Sequence, residues 1–484
     1  MTDSFSIKKE DSSEVPVRTT KKMVLFNLYI ITFGLLWTMW NRIQFFAVTV
    51  LLIPQIMIAL VFLIYSIVDS VNDPVIGYLN DRSKRFTRKY GKRFPWIIIG
   101  TISAPIFLIL CFIPIANINV DASGKVMNLE AVIVATIWLI IVMCIYETFL
   151  TTAEVNRNAL IPDLFRGEGQ RRKFSIIGMI IGAINALIAA ILIPLLLVSF
   201  GGITKISAYI TTIIVVVFIF YILTIPNIIG TREPDDMKTF RANLDDTGRS
   251  SSPLKEVLVR VFKDNNWMAF TFAYFFYAIG GICVLAGIDF FIVHYLDLGY
   301  EAVIFPLLMV LIGNIAAIPI FNTLVKKLGS KYSYLISLIW MAIFYILFFF
   351  VEDITGVIIT SFIGGIGLGG QNLCYIIVSS EAIDNSVIES GKREEGTYNG
   401  ILRIFSAFAY FFQALIFAIV AGFTGYIPAR GANQTELARL GLKLQMSLIP
   451  LAIIIIGIII FIIKYDISKE DAMANKIKLL RMGL

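Results

Sequence analysis

Long apolar runs alternate with short polar breaks along most of the chain. The runs fall near 23–50, 54–80, 95–114, 129–161, 174–199, 206–229, 266–294, 301–324, 333–351, 354–380, 397–425 and 444–463. Roughly 20 residues cross a bilayer as a helix, so the longer runs predict helices that tilt or project beyond it. The pattern predicts an all-α membrane protein of twelve transmembrane helices. The longest polar interruption, Thr231–Lys263, leaves six runs on either side. The expected organisation is an N-tail at 1–22, a six-helix bundle at 23–230, a linker at 231–265, a second bundle at 266–463 and a C-tail at 464–484. Two six-helix bundles related by an axis along the membrane normal form a transporter architecture, with substrate held between them.

Composition narrows the class. The chain of 484 residues is 58% hydrophobic and only 15% charged, where a soluble domain carries roughly a quarter charged residues. The polar first 22 residues lack the apolar core of a cleavable signal peptide, and the first span is expected to act as the membrane signal. Cys111, Cys144, Cys283 and Cys374 all fall inside apolar runs, away from metal-ligand spacing, and read as packing residues.

Charge orients the spans. With both termini on one face, that face collects most of the 41 Lys and Arg, from both tails and the loops at 82–93, 163–174, 231–263, 326–331 and 392–393. The opposite loops hold Lys125, Lys205, Arg430, Arg439 and Lys443. This asymmetry predicts a cell-membrane protein with both termini cytoplasmic. It also accounts for the net +7 without a nucleic-acid partner.

The stretch "YSIVDSVNDPVIGYLNDRSKR" carries polar chemistry into the second span. Asp69, Asn72 and Asp73 lie three and four residues apart, on one helical face. Each carboxylate facing lipid costs about 2.5–3.5 kcal/mol. A cation held between them, a water-filled cavity or a basic partner removes that cost. Carboxylate and amide oxygens suit Na⁺ or Li⁺, and a carboxylate alone serves H⁺. Further on, Gly77 offers close helix approach, and Asp81, Arg82 and Arg85 resemble the gating loop of the major facilitator superfamily. "RKYGKR" after the second span is faintly echoed by "KKLGSK" after the eighth.

The segment Asp69–Gly100 resembles the second-to-third helix region of the glycoside–pentoside–hexuronide:cation symporters, the family of melibiose permease. "EAIDNSVIESGKREEG" (Glu381–Gly396) and "GFTGYIP" (Gly422–Pro428) are similar to its segments before and after helix eleven. The resemblance implies a major facilitator fold and cation binding at Asp69, Asn72 and Asp73. Aligned through Pro162, it also implies a cation-binding threonine at Thr151 and, at Glu154, an acid touching both cation and substrate. The family's galactoside-binding positions depart: Phe33 replaces an aspartate, Met179 or Ile180 an arginine, Asn158 an aromatic, Asn372 a tryptophan and Ala407 a lysine, with Arg403 one turn earlier. The implied cation site is kept and the implied galactoside site is not.

Three arginines lie inside spans: Arg42, Arg157 and Arg403. Each is expected to pair with a carboxylate or to face the central cavity. If they line one cavity, they favour an anionic substrate such as a hexuronide. Trp40 and Asn41 beside Arg42, with Gln371, Asn372 and Tyr375 on the tenth span, complete the candidate substrate set. The expected function is cation-coupled symport of a sugar or glycoside by alternating access. Na⁺ or H⁺ is the coupling ion, with Li⁺ as a further candidate, and there is no cofactor. Membrane lipid surrounds what is expected to be a monomer. A lysolipid or other amphipathic anion is the alternative cargo. From another class, a receptor or scaffold needs no intramembrane carboxylates. No nucleophile–base pair supports an enzyme. "GIGLGG" (Gly365–Gly370) lies in an apolar span and reads as helix packing rather than nucleotide binding. The lone His294 reads as interfacial, Asn433 heads a chance sequon, and the tail reads as a helix near anionic lipid.

Overall fold

The computed structural model describes residues 18–82, 87–121, 126–165, 168–235, 238, 254–391 and 395–482. Among them, twelve helices are long and apolar enough to cross a membrane. The spans are Thr20–Thr49, Gln55–Gly77, Phe94–Cys111, Leu129–Leu164, Gly169–Ser199, Ile206–Thr231, Asn265–Tyr295, Tyr300–Leu328, Ser330–Phe349, Ile354–Ser390, Glu395–Thr424 and Glu436–Lys464. The chain is an integral, multi-pass membrane protein. Many large aliphatic side chains, such as Ile180, Ile225 and Ile463, are exposed on the outer surface, as expected where the solvent is hydrocarbon.

Local chemistry sets several boundaries. Thr19 caps the first span by accepting from the Lys22 amide, and Asp264 caps the seventh by accepting from Trp267. The third span starts where Glu233, just after the sixth, accepts from the Arg93 and Phe94 amides. One buried carboxylate thus satisfies two orphan donors of a distant helix. The first span is broken into Thr20–Asn27, Tyr29–Trp40 and Ile43–Thr49. At the second break Asn41 bonds back to the Trp37 carbonyl at 2.7 Å. The twelfth span also differs from the sequence expectation. An amphipathic helix, Glu436–Leu444, precedes a break at 445–447 and the apolar helix Leu448–Lys464. The C-terminal helix Lys469–Met482 docks on the tenth span through Asn475 and Asn385 at 3.0 Å.

Helix packing ties together spans near in space rather than in sequence. The second span packs along the eleventh, joining the first six spans to the last six. The eighth and tenth pack closely because glycines line their seam. A Cβ on Gly365 would lie 2.4 Å from the Val310 carbonyl oxygen, and one on Gly369 would lie 2.5 Å from that of Asn314. These glycines serve packing, as their setting in the sequence implied. Gly77 differs: a Cβ there would meet only Val155, at 3.9 Å, so no close approach depends on it. Asp81 and Arg82 end the second helix, and Arg85 lies outside the described residues.

We predict that Gly369→Leu overpacks the seam. Overpacking costs about 1–3 kcal/mol or more, so the purified protein should melt at a lower temperature, whereas Gly77→Ala should melt as the unmodified chain does.

Candidate cation and substrate site

The second, fourth and eleventh spans bring their charges to one place. Arg403 Nε lies 2.5 Å from Asp73 Oδ2, and Arg403 Nη2 lies 3.9 Å from Asp69 Oδ1 and 4.0 Å from Glu154 Oε2. These groups sit mid-helix, yet the Arg403 and Glu154 side chains are 39% and 34% exposed. Asp69, Asp73 and Arg403 help to line a cavity of about 660 Å³, together with Asn158 and Asn399. Pro74 follows Asp73 directly and has no N–H to donate to the Ser70 carbonyl. The Ser70 carbonyl next to the paired acids therefore lacks its usual helical donor.

Sequence reasoning missed Glu147. It is buried one turn before Thr151 and accepts from Tyr65 Oη at 2.6 Å and from Thr151 Oγ1 at 3.0 Å. It lies beside Asp69. Buried carboxylates side by side repel, and a cation or a shared proton between them relieves the repulsion. The signal was present: Glu147, Thr151 and Glu154 recur at four and three residues, on one stripe of the fourth span. Thr151 consequently turns toward Glu147 rather than joining Glu154. Asn72 donates to Thr148 of the fourth span at 3.2 Å. Among the described residues, no three acidic, His or Cys side chains converge closely enough to hold a metal ion. Arg403 supplies the countercharge.

The other two arginines are not arranged as an anion cradle. Arg42 makes a buried ion pair with Asp289 of the seventh span, its Nη1 donating to both carboxylate oxygens and bridging the two six-span sets. Tyr300 lies against it, with the Arg42 guanidinium 5.7 Å from the ring centre. Arg157 forms no ion pair with Glu154, three residues earlier on the same helix. It lies over Tyr29 and Phe33, at 4.8 and 4.5 Å from their ring centres, and donates to Thr101 at 3.3 Å. Phe33 is thus a cation–π partner of Arg157. His294, at the end of the seventh span, is buried and bonds Tyr426 at 2.6 Å.

A second cavity, of about 490 Å³, lies mainly among the seventh to eleventh spans. Its wall combines Trp37, Tyr274, Tyr277 and Tyr410 with Asn372, Ser361 and Ser406, amid many aliphatic side chains. Of the predicted substrate residues, Asn372 lines this chamber and Asn158 lines the other cavity. Trp40 stands behind the wall, stacked on Trp37 and edge-on to Tyr410. Tyr375 packs against Tyr274. Gln371 turns away into a bond network with Ser337 and Tyr334. Asn41 is used by the helix break.

Twelve apolar helices, acids inside the membrane facing an arginine from the other six-span set, and a chamber nearby define a transporter of the major facilitator type. The chain belongs to the MFS/sugar transport protein family, whose model matches residues 24–469. It is 23% identical to a lactose permease of Lactobacillus helveticus over 84% of this chain and 61% of that protein, so the match spans less than two thirds of the permease. It is 22% identical to the sodium-dependent lysophosphatidylcholine symporter 1-B of Danio rerio, over 84% of this chain and 79% of that one. An isoprimeverose transporter of Lactiplantibacillus pentosus is 20% identical over 89% and 85%. Among solved structures, the nucleoside transporter NupG superposes with a TM-score of 0.62 at 14% identity, over 93% of this chain and all of that one. A bacterial homologue of the lysosomal transporter Spinster, in an inward-facing and unoccupied conformation, gives 0.64 at 13%, over 95% and 99%. At these identities the structures share the fold alone.

The Arg42–Asp289 pair yields a stability prediction. Asp289→Ala leaves a guanidinium buried without its partner, at a cost of about 3–5 kcal/mol. Melting of the purified protein should fall clearly in this variant and recover most of the loss in Arg42→Leu/Asp289→Leu. Equal losses in the single and double variants would refute this.

Proposed function

We propose that the chain is a cation-coupled symporter of a neutral sugar or glycoside, in the glycoside–pentoside–hexuronide:cation branch of its family. The observation that carries this is Arg403 of the opposite half set among Asp69, Asp73 and Glu154, with Glu147 beside Asp69. A coupling cation, Na⁺ or H⁺ with Li⁺ as a further candidate, competes with Arg403 for Asp73. Once it binds, Arg403 no longer anchors the eleventh span to the second. Ser406 and Tyr410, one and two turns along from Arg403, line the chamber, so the ion and the substrate act on one helix. The 23–230 and 266–463 bundles then rock about this seam. The 231–265 linker and the tails at 1–22 and 464–484 lie on the cytoplasmic side of the cell membrane.

The substrate class follows from the chamber wall. Aromatic faces stack on a sugar ring or an apolar aglycone, and Asn372, Ser361 and Ser406 offer hydrogen bonds. A hexuronide loses support, because Arg42 and Arg157 are engaged elsewhere and Arg403 faces carboxylates. The aliphatic share of the wall favours a second reading, an amphiphile such as a lysolipid, in keeping with what the Danio rerio relative carries by name. One Na⁺ falling through about 100 mV supplies about 2.3 kcal/mol. A tenfold gradient adds about 1.4 kcal/mol, enough together for about 500-fold accumulation of a neutral solute.

Counterflow in proteoliposomes against neutral glycosides, hexuronides and lysolipids separates the readings. With the substrate so found, Asp73→Asn should abolish cation-driven accumulation, by more than tenfold, and retain exchange. Uptake that stays fully cation-dependent in this variant would refute the site assignment.

A further inference from the structure

Tyr65 stands between the acids and the chamber. Its hydroxyl donates to Glu147 Oε2 at 2.6 Å, and the group is buried. Its ring lies 5.4 Å from that of Trp40, tilted by 40°. Trp40 in turn stacks on Trp37 at 5.3 Å, with planes 10° apart, and meets Tyr410 edge-on at 4.8 Å. Trp37 and Tyr410 face the chamber. The contact runs unbroken from a carboxylate oxygen beside Asp69 to two rings of the chamber wall.

The ends of this chain of contacts differ in a useful way. The Tyr65–Glu147 bond depends on the ionic state of the acid, because a carboxylate accepts the phenolic proton whereas a coordinated or protonated one accepts it less well. At the other end the Trp40 indole nitrogen is buried without a hydrogen-bond partner. Ring packing alone fixes the indole, so it can follow its neighbours without breaking a polar bond. Beside it, Ser66 Oγ donates to the Ala407 carbonyl at 2.7 Å and pins the second span to the eleventh. With the backbones in contact there until the bundles rock, a change at Glu147 reaches the wall first through side chains.

We propose that Tyr65 is a positioning residue that transmits cation occupancy at Glu147 to the aromatic wall of the chamber, through Trp40. This rests on the ion-coupling reading above, and it assigns the coupling to a route separate from Arg403. A chain of contacts alone does not establish coupling, so the test reads the two ends separately.

Trp37 and Trp40 provide built-in reporters. The full chain in lipid nanodiscs is titrated with Na⁺, with Li⁺ and by pH steps, choline holding ionic strength constant. Tryptophan emission and thermal stabilisation are recorded together. The unmodified chain should give a saturable emission change, and Trp37→Phe should remove most of it. Tyr65→Phe should keep the stabilisation midpoint within about threefold, since one neutral hydrogen bond is modest, while the emission change falls to less than about a third. Trp40→Leu is the second variant. It leaves the Tyr65–Glu147 bond in place, and the remaining Trp37 signal should lose its ion dependence. Full emission amplitude in Tyr65→Phe overturns the inference. So does an amplitude that falls only in step with ion binding. If no ion stabilises the unmodified chain, the symport reading itself falls, and that result is distinct from a failure of Tyr65 alone.

Discussion

The structure depends on the contact of one guanidinium with carboxylates from the other half of the molecule. Acids at mid-membrane are tolerable only beside a countercharge or water, and Arg403 and the cavity below it supply both. Because Arg403 belongs to the eleventh span and the acids to the second and fourth, their electrostatics and the seam between the halves are one quantity. Whatever neutralises the acids also removes this attraction across the seam, and the proposed coupling rests on that link.

A second ionic contact lies toward the opposite end of the same seam. Arg42 and Asp289 join the first and seventh spans in a fully buried pair flanked by the Phe45–Phe290 contact. The two contacts differ in hydration. Arg42 and Asp289 are almost inaccessible, whereas Arg403 and its acids are partly wet. The dry pair ties the halves together at its end, whereas the charges of the wet cluster stay within reach of solvent at the other. The molecule is therefore closed at Arg42 and open to water at Asp73.

Much of this was legible in the chain. Hydropathy found all twelve spans, because a bilayer demands long apolar helices, but it ended the tenth short of Ser390 and missed the amphipathic start of the twelfth at Glu436. The paired aspartates were legible because charge is rare there. Partners across the fold were not. Arg42 resembles a substrate ligand in sequence because its partner, Asp289, lies 247 residues away and reads by itself as one acid near the end of a span. Glu147 passed unnoticed because its neighbour Glu154 satisfied the family alignment. Gln371 and Tyr375 resemble chamber residues because helical spacing fixes a face but not which neighbour that face meets. Spacing alone pairs Arg157 with Glu154, whereas the rings of Tyr29 and Phe33 on the first span cover it.

The most direct measurement is thermal stability of the purified chain as a function of cation concentration, in the unmodified protein and in Asp69→Asn/Asp73→Asn. A ligand at 100 times its Kd stabilises by about 2.7 kcal/mol. The unmodified chain should therefore show a saturable rise in melting temperature with Na⁺, Li⁺ or H⁺, and the double variant should show none. The same rise in both proteins would mean that the ion binds elsewhere, and it would contradict a cation-binding role for the acids that face Arg403.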